Sequence, residues 1–183
     1  MFIQTEETPN PLTLKFLPGR AVMSNGTLDM PNAEAAKRSP LAERLFLVEG
    51  VSGVFLGNDF ISVTKRSDKE WYLLKPALLG VIMEHFTANR PVVAAGAEPV
   101  AESAGEDDEI VSQIKELLNT RVRPAVAQDG GDIIFRGFEQ GVVYLHMQGA
   151  CSGCPSSTAT LRMGIENMLK HYIPEVTGVR AVQ

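Results

Sequence analysis

Residues 91–109, "PVVAAGAEPVAESAGEDDE", constrain the chain more than any other stretch, because they show no sustained apolar period. They hold six acidic side chains, no basic one and no aromatic. Their apolar residues follow neither a helical nor a strand period. Such a composition predicts a flexible acidic linker, and nineteen residues of coil span roughly 25 Å root mean square. The expected organisation is a domain over 1–90, the linker over 91–109 and a second domain over 110–183. Each domain is small, so each must close its own modest core.

The charge pattern narrows the partners. Residues 1–90 carry ten basic and ten acidic side chains, and residues 110–183 carry seven and six. No basic stripe is available for a phosphate backbone, which argues against nucleic acid. No run of 18 apolar residues exists to cross a membrane.

Within the first segment, "PLTLKFLP" alternates Leu12, Leu14 and Phe16 as a half-buried strand does, and Ser39-Pro40 opens a short helix carrying Leu41, Leu45 and Val48. The runs flanking Gly57-Asn58 predict a hairpin. Leu73, Leu74, Ala77, Leu78, Val81, Ile82, His85 and Phe86 form a helical stripe. Pro76 fits such a helix only in its first turn, which places the start near Trp71. After the linker, Ile110, Val111, Ile114, Leu117, Leu118, Val122 and Val126 predict another helix, begun by Asp107 and Asp108 and ended at the turn "DGGD". Strands over 133–138 and 142–147 follow, then a helix from Pro155 through Leu161, Ile165, Met168, Leu169 and Tyr172, and a closing strand in "PEVTGVRAV". The fold class expected is α+β, two small domains, each an antiparallel sheet packed with helices.

Both cysteines, Cys151 and Cys154, lie in "GACSGCPSST" between the end of a strand and the start of a helix. Backbone N–H groups and the helix dipole favour thiolate there, so lowered pKa values are expected. A thiolate is at once a nucleophile and a metal ligand, and C-x-x-C alone leaves a redox couple and half of a metal site both open. Ligand counting separates them further. Zinc and iron–sulfur clusters take four ligands, the chain has two cysteines, and His85, His146 and His171 are scattered. Two chains would supply four thiolates at a two-fold axis, an exposed site suited to delivery. "DGGD" matches neither a phosphate loop nor a calcium loop and reads as a turn, and no catalytic constellation presents itself, so no enzyme activity is expected.

"VRPAVAQDGGDIIF", "GACSGCPSSTATLRMGIENMLK" and "IPEVTGVRAV" resemble the NifU C-terminal domain of Nfu-type iron–sulfur cluster carriers, over roughly 110–183. "TPNPLTLKFLPG" and "EGVSGVF" resemble the N-terminal domain of Nfu proteins, which the family associates with partner recognition. The resemblance implies a scaffold or carrier that holds a [4Fe–4S] cluster between the C-x-x-C thiolates of two protomers, here Cys151 and Cys154. Its implied partners are upstream cluster donors, apo client proteins and a second copy of the chain. The residues "MFIQTEETPN" lack a leader pattern, which points to a bacterial cytoplasmic protein ahead of a mature mitochondrial matrix protein. The competing readings are a thioredoxin-like dithiol oxidoreductase, opposed by the Ser-Gly pair between the cysteines and by the absence of a preceding Trp, and a zinc-bridged structural dimer.

Overall fold

The computed structural model describes residues 1–97, 108–152 and 155–182. The chain divides into two compact units, Met1–Pro99 and Val100–Gln183. Of the stretch read as a linker, residues 98–107 lie outside the described residues.

The first unit carries strands β1 (Gln4–Glu7), β2 (Thr13–Leu17), β3 (Leu28–Met30), β4 (Val51–Leu56) and β5 (Ile61–Lys65), with helices α1 (Pro40–Phe46) and α2 (Trp71–Thr87). The sheet order is β1-β2-β5-β4-β3, and every neighbouring pair is antiparallel. The hairpin at Gly57-Asn58 forms, with Leu56 paired to Ile61 and the Gly57 amide bonded to the Phe60 carbonyl at 2.9 Å. Ser39 caps α1 by accepting the Ala42 N–H at 3.1 Å, and Pro40 fills the first helical position.

Two expectations are corrected in this unit. β2 is buried on both faces: Thr13 shares a 2.8 Å hydroxyl bond with Thr64, and Lys15 lies over the Phe60 ring at 4.8 Å with Glu6 3.5 Å away. Partnered polar side chains can thus occupy the positions that alternation assigns to solvent. Pro76 stands in the second turn of α2, not the first. It is exposed, so water can satisfy the Tyr72 carbonyl that its missing N–H would have bonded. The buried stripe of α2 is Leu74, Leu78, Ile82, His85 and Phe86, while Leu73 turns outward.

The unit also extends past residue 90. His85 Nε2 donates to the Pro91 carbonyl at 3.0 Å, Ser39 Oγ to the Val92 carbonyl, and the Ala94 amide to the Arg38 carbonyl at 2.8 Å. Val92 and Val93 pack against the core.

The second unit opens with α3 (Glu109–Leu117), passes through a π-helical segment (Leu118–Val122) into α4 (Arg123–Gln128), and continues with β6 (Gly131–Glu139), β7 (Val142–Gly149), α5 (Pro155–Tyr172) and β8 (Gly178–Val182). Asp108 stands at the N-cap of α3 without a side-chain capping bond, and Asp107 lies outside the described residues. Ile114, Leu118, Val122 and Val126 are all buried at four-residue steps. On an ideal α-helix each such step overshoots a full turn by about 40°, so the stripe winds slowly around the helix. The wider π turn takes up part of that drift. Pro124, which cannot join an unbroken α ladder, stands two residues after its end.

β6 and β7 pair antiparallel across the two-residue turn Gln140-Gly141, where both residues have positive φ, as a type I′ hairpin requires. β8 returns to pair with β7 in parallel, because an 18-residue helix separates the two strands and carries the chain back to the same end. The α+β class holds, with a mixed sheet of order β6-β7-β8. Its core gathers Ile114, Leu118, Ile133, Val143, Leu145, Leu169 and Ile173.

Candidate functional site

The cysteine loop rests on the "DGGD" turn. α4 ends as the Asp129 and Gly130 amides bond back to the Val126 and Ala127 carbonyls at 3.0 and 3.1 Å, and Gly130 takes φ +81°. The chain then enters β6 with Gly131 paired opposite Gly149 and Asp132 opposite Gln148. The Ala150 amide bonds the Gly130 carbonyl at 3.2 Å, and the Ser152 amide bonds the Gly149 carbonyl at 3.1 Å. The loop is therefore laid across the two glycines.

Cys151 points into the core from this seat and is 8 % exposed. Its sulfur lies so close to Gly131 that a Cβ there would stand 2.7 Å from it, and 2.7 Å from the Gln148 carbonyl oxygen. On the helix side, the Thr158 hydroxyl donates to the Cys151 carbonyl at 2.9 Å. Cys154 lies outside the described residues.

The electrostatics correct the expectation of a favoured thiolate. Burial pushes the Cys151 thiol up, and the Asp129 and Asp132 carboxylates push it further, from an ordinary value near 9 to about 12. The helix dipole does not offset this, because α5 begins only at Pro155 while the Cys151 sulfur has turned into the core. A raised folded-state pKa means that the native chain holds a proton the unfolded chain has released. The stability this represents is present below about pH 9 and is lost as pH climbs through about 12. In the metal-free Cys154→Ser variant we expect Cys151 to react with iodoacetamide at pH 8 about a thousandfold more slowly than in denaturant. Mass spectrometry of the alkylated chain against time measures it, and equal rates in both states would contradict the buried seat.

Asp132 was legible only as a turn residue, yet it is 3 % exposed and gripped by Arg123, whose Nε and Nη2 donate to its two carboxylate oxygens at 2.9 and 2.8 Å. Arg123 Nη1 also donates to Asn119 Oδ1 at 3.0 Å, and Asp132 Oδ1 accepts the Ile133 N–H at 2.8 Å. No period links positions 123 and 132, so only the repeated Asp around two glycines could have signalled the pair.

Each histidine has its own surroundings. His146 alternates with buried Leu145 and Met147, so it points to the opposite sheet face, where its Nδ1 meets the Val182 carbonyl at 3.1 Å. His85 is buried in the first unit, and His171 is exposed with its ring edge-on to Tyr172. Among the described residues no three His, Cys, Asp or Glu side chains gather to hold a metal ion, and no helix is long and apolar enough to cross a membrane.

Two family models match the chain: "Scaffold protein Nfu/NifU N terminal" over residues 3–89 and "NifU-like domain" over residues 114–180. The chain is 53% identical over its full length to "NFU1 iron-sulfur cluster scaffold homolog, mitochondrial" of Homo sapiens, and spans 72% of that protein. It belongs to the Nfu/NifU family of scaffold proteins. The namesake of Drosophila sechellia is 55% identical to this Nfu-family chain, which spans 65% of it. Among solved structures, a NifU-like protein from Saccharomyces cerevisiae aligns over 52% of the chain and 86% of its own length, with 24% identity and a TM-score of 0.47. Both named relatives are mitochondrial, which overturns the bacterial-cytoplasm expectation. That expectation rested on the first residues of a chain that spans only part of its relatives, where a leader pattern carries no weight.

Proposed function

We propose that two copies of this Nfu-family chain hold a [4Fe–4S] cluster between their Cys151 and Cys154 thiolates and hand it on to apo-proteins, with the cluster as cargo and without catalytic turnover. The observation that carries this reading is the pairing of a C-x-x-C motif, whose first cysteine follows directly on the Gly130–Ala150 bond, with a ligand count that stops at two thiols per chain. A cluster that normally takes four thiolates is then shared between two loops. Upstream donors would load it, and apo iron–sulfur proteins would receive it.

The residues of the chain define what loading demands. Cys151 must give up its proton and turn its sulfur out of the core, against burial and against two carboxylates that disfavour its thiolate. The same terms lower the cost of leaving, since a vacated thiol regains its proton and its apolar seat. A site balanced in this way suits transfer: a client thiolate replaces one cysteine at one iron, and the cluster departs as the remaining bonds exchange. A dithiol oxidoreductase needs an exposed, low-pKa attacking thiol, which the buried Cys151 does not offer.

The test is hand-over. Anaerobically loaded protein, mixed with an apo-ferredoxin, is expected to activate it within minutes and to lose its own visible absorbance in step. A zinc-bridged dimer would instead gain no colour with iron and sulfide and activate nothing.

A further inference from the structure

We propose that Arg123 is a positioning residue for the cluster loop, holding through Asp132 the glycine turn on which the Cys151 sulfur rests. The inference builds on the reading of Cys151 as a cluster ligand. Asp132 is nearly fully buried, and its two oxygens meet a guanidinium fork at 2.9 and 2.8 Å, a geometry that Lys cannot reproduce. The pair joins the start of α4 to the first residues of β6. Those residues lie directly beneath the loop, with Gly131 against Gly149 and the Gly130 carbonyl bonded to Ala150. Arg123 is placed for this by the π segment that ends at Val122, and it is steadied by Asn119. It also offsets the charge of Asp132, one of the two carboxylates that bear on Cys151. A buried pair of this kind adds little to stability compared with an apolar substitute, but losing one partner leaves an uncompensated buried charge beside the loop.

The test uses full-length protein carrying Arg123→Gln, Arg123→Lys, Asp132→Asn and the double variant Arg123→Gln/Asp132→Asn. Three readouts apply: the melting temperature, the rate at which a chelator bleaches the loaded protein, and alkylation of Cys151 by iodoacetamide in the metal-free Cys154→Ser background. Arg123→Gln bares the Asp132 charge, which disfavours thiolate, but the opened seat of Cys151 is expected to outweigh this and to speed both bleaching and alkylation about tenfold at temperatures well below the melting point. Arg123→Lys should fall between it and wild type, and the double variant should be no worse than the worse single one, because the two residues act as one unit. Variants that melt earlier yet bleach and alkylate at the wild-type rate would reduce the pair to a structural brace and overturn the proposal. If wild-type protein loads no cluster, the carrier reading fails by itself. The alkylation series still decides whether Arg123 governs the seat of Cys151.

Discussion

Gly131→Val is expected to cut anaerobic cluster loading by more than about tenfold while leaving the first unit folded. A Cβ at residue 131 stands 2.7 Å from the Cys151 sulfur, 2.7 Å from the Gln148 carbonyl oxygen and 3.1 Å from the Cys151 amide nitrogen. Two of these neighbours are backbone atoms, held in place by the β6–β7 pairing and the loop, so neither can swing aside as a flexible side chain would. The sulfur must leave its seat, or the hairpin must open at its loop end. Overpacking of this kind costs about 1–3 kcal/mol, enough to lower the melting temperature of a unit this size by several degrees. Gly137→Ala is the control on the same strand, since nothing lies within 4 Å of a Cβ there. Absorbance of the reconstituted protein together with calorimetry of the metal-free form checks both variants. Wild-type loading in Gly131→Val would show that the contact between Gly131 and Cys151 is irrelevant to the site.

The second large effect is the loss of either cysteine. Cys151→Ser and Cys154→Ser are each expected to reduce loading to a few per cent of wild type or below, and to do so equally. The equality comes from sharing. In the proposed shared site, one substitution per chain would remove two of four ligands, and a serine oxygen is a poor substitute for thiolate toward iron. A dithiol oxidoreductase would respond unequally, because removing its resolving cysteine traps a mixed disulfide with substrate while removing its attacking cysteine does not. Visible spectra and non-reducing gels of the two variants, side by side, distinguish these outcomes.

The elements that could be read from the sequence are those whose cause is local. The Ser39-Pro40 cap, the Gly57-Asn58 hairpin and the run of α5 from Pro155 to Tyr172 each follow from residues within a few positions of the feature. The differences arose where tertiary neighbours decide. Thr13 and Lys15 are buried because Thr64, Glu6 and Phe60 come from other parts of the unit. The parallel return of β8 depends on which end of the sheet α5 delivers the chain to.

The site divides in the same way. Cys151 was legible from C-x-x-C, but its protonation was not. The helix-dipole argument sees only the chain direction, whereas burial and the charges of Asp129 and Asp132 act through space. Arg123 was invisible because its partner lies nine residues on, across a helix end and a turn. The π turn at Leu118–Val122 was not legible either, because the four-residue spacing of Ile114, Leu118, Val122 and Val126 is the same as that of Leu74, Leu78, Ile82 and Phe86 in the uninterrupted helix α2.

The central claim, that one cluster is held between two copies of the chain, is tested most directly by native mass spectrometry of anaerobically loaded protein, with iron and sulfide counted on the same sample. The expected result is a species of two chains carrying about four irons and four sulfides, which returns to single chains when the cluster is chelated. A loaded species containing one chain, or a two-chain species that holds zinc and no sulfide, would contradict it.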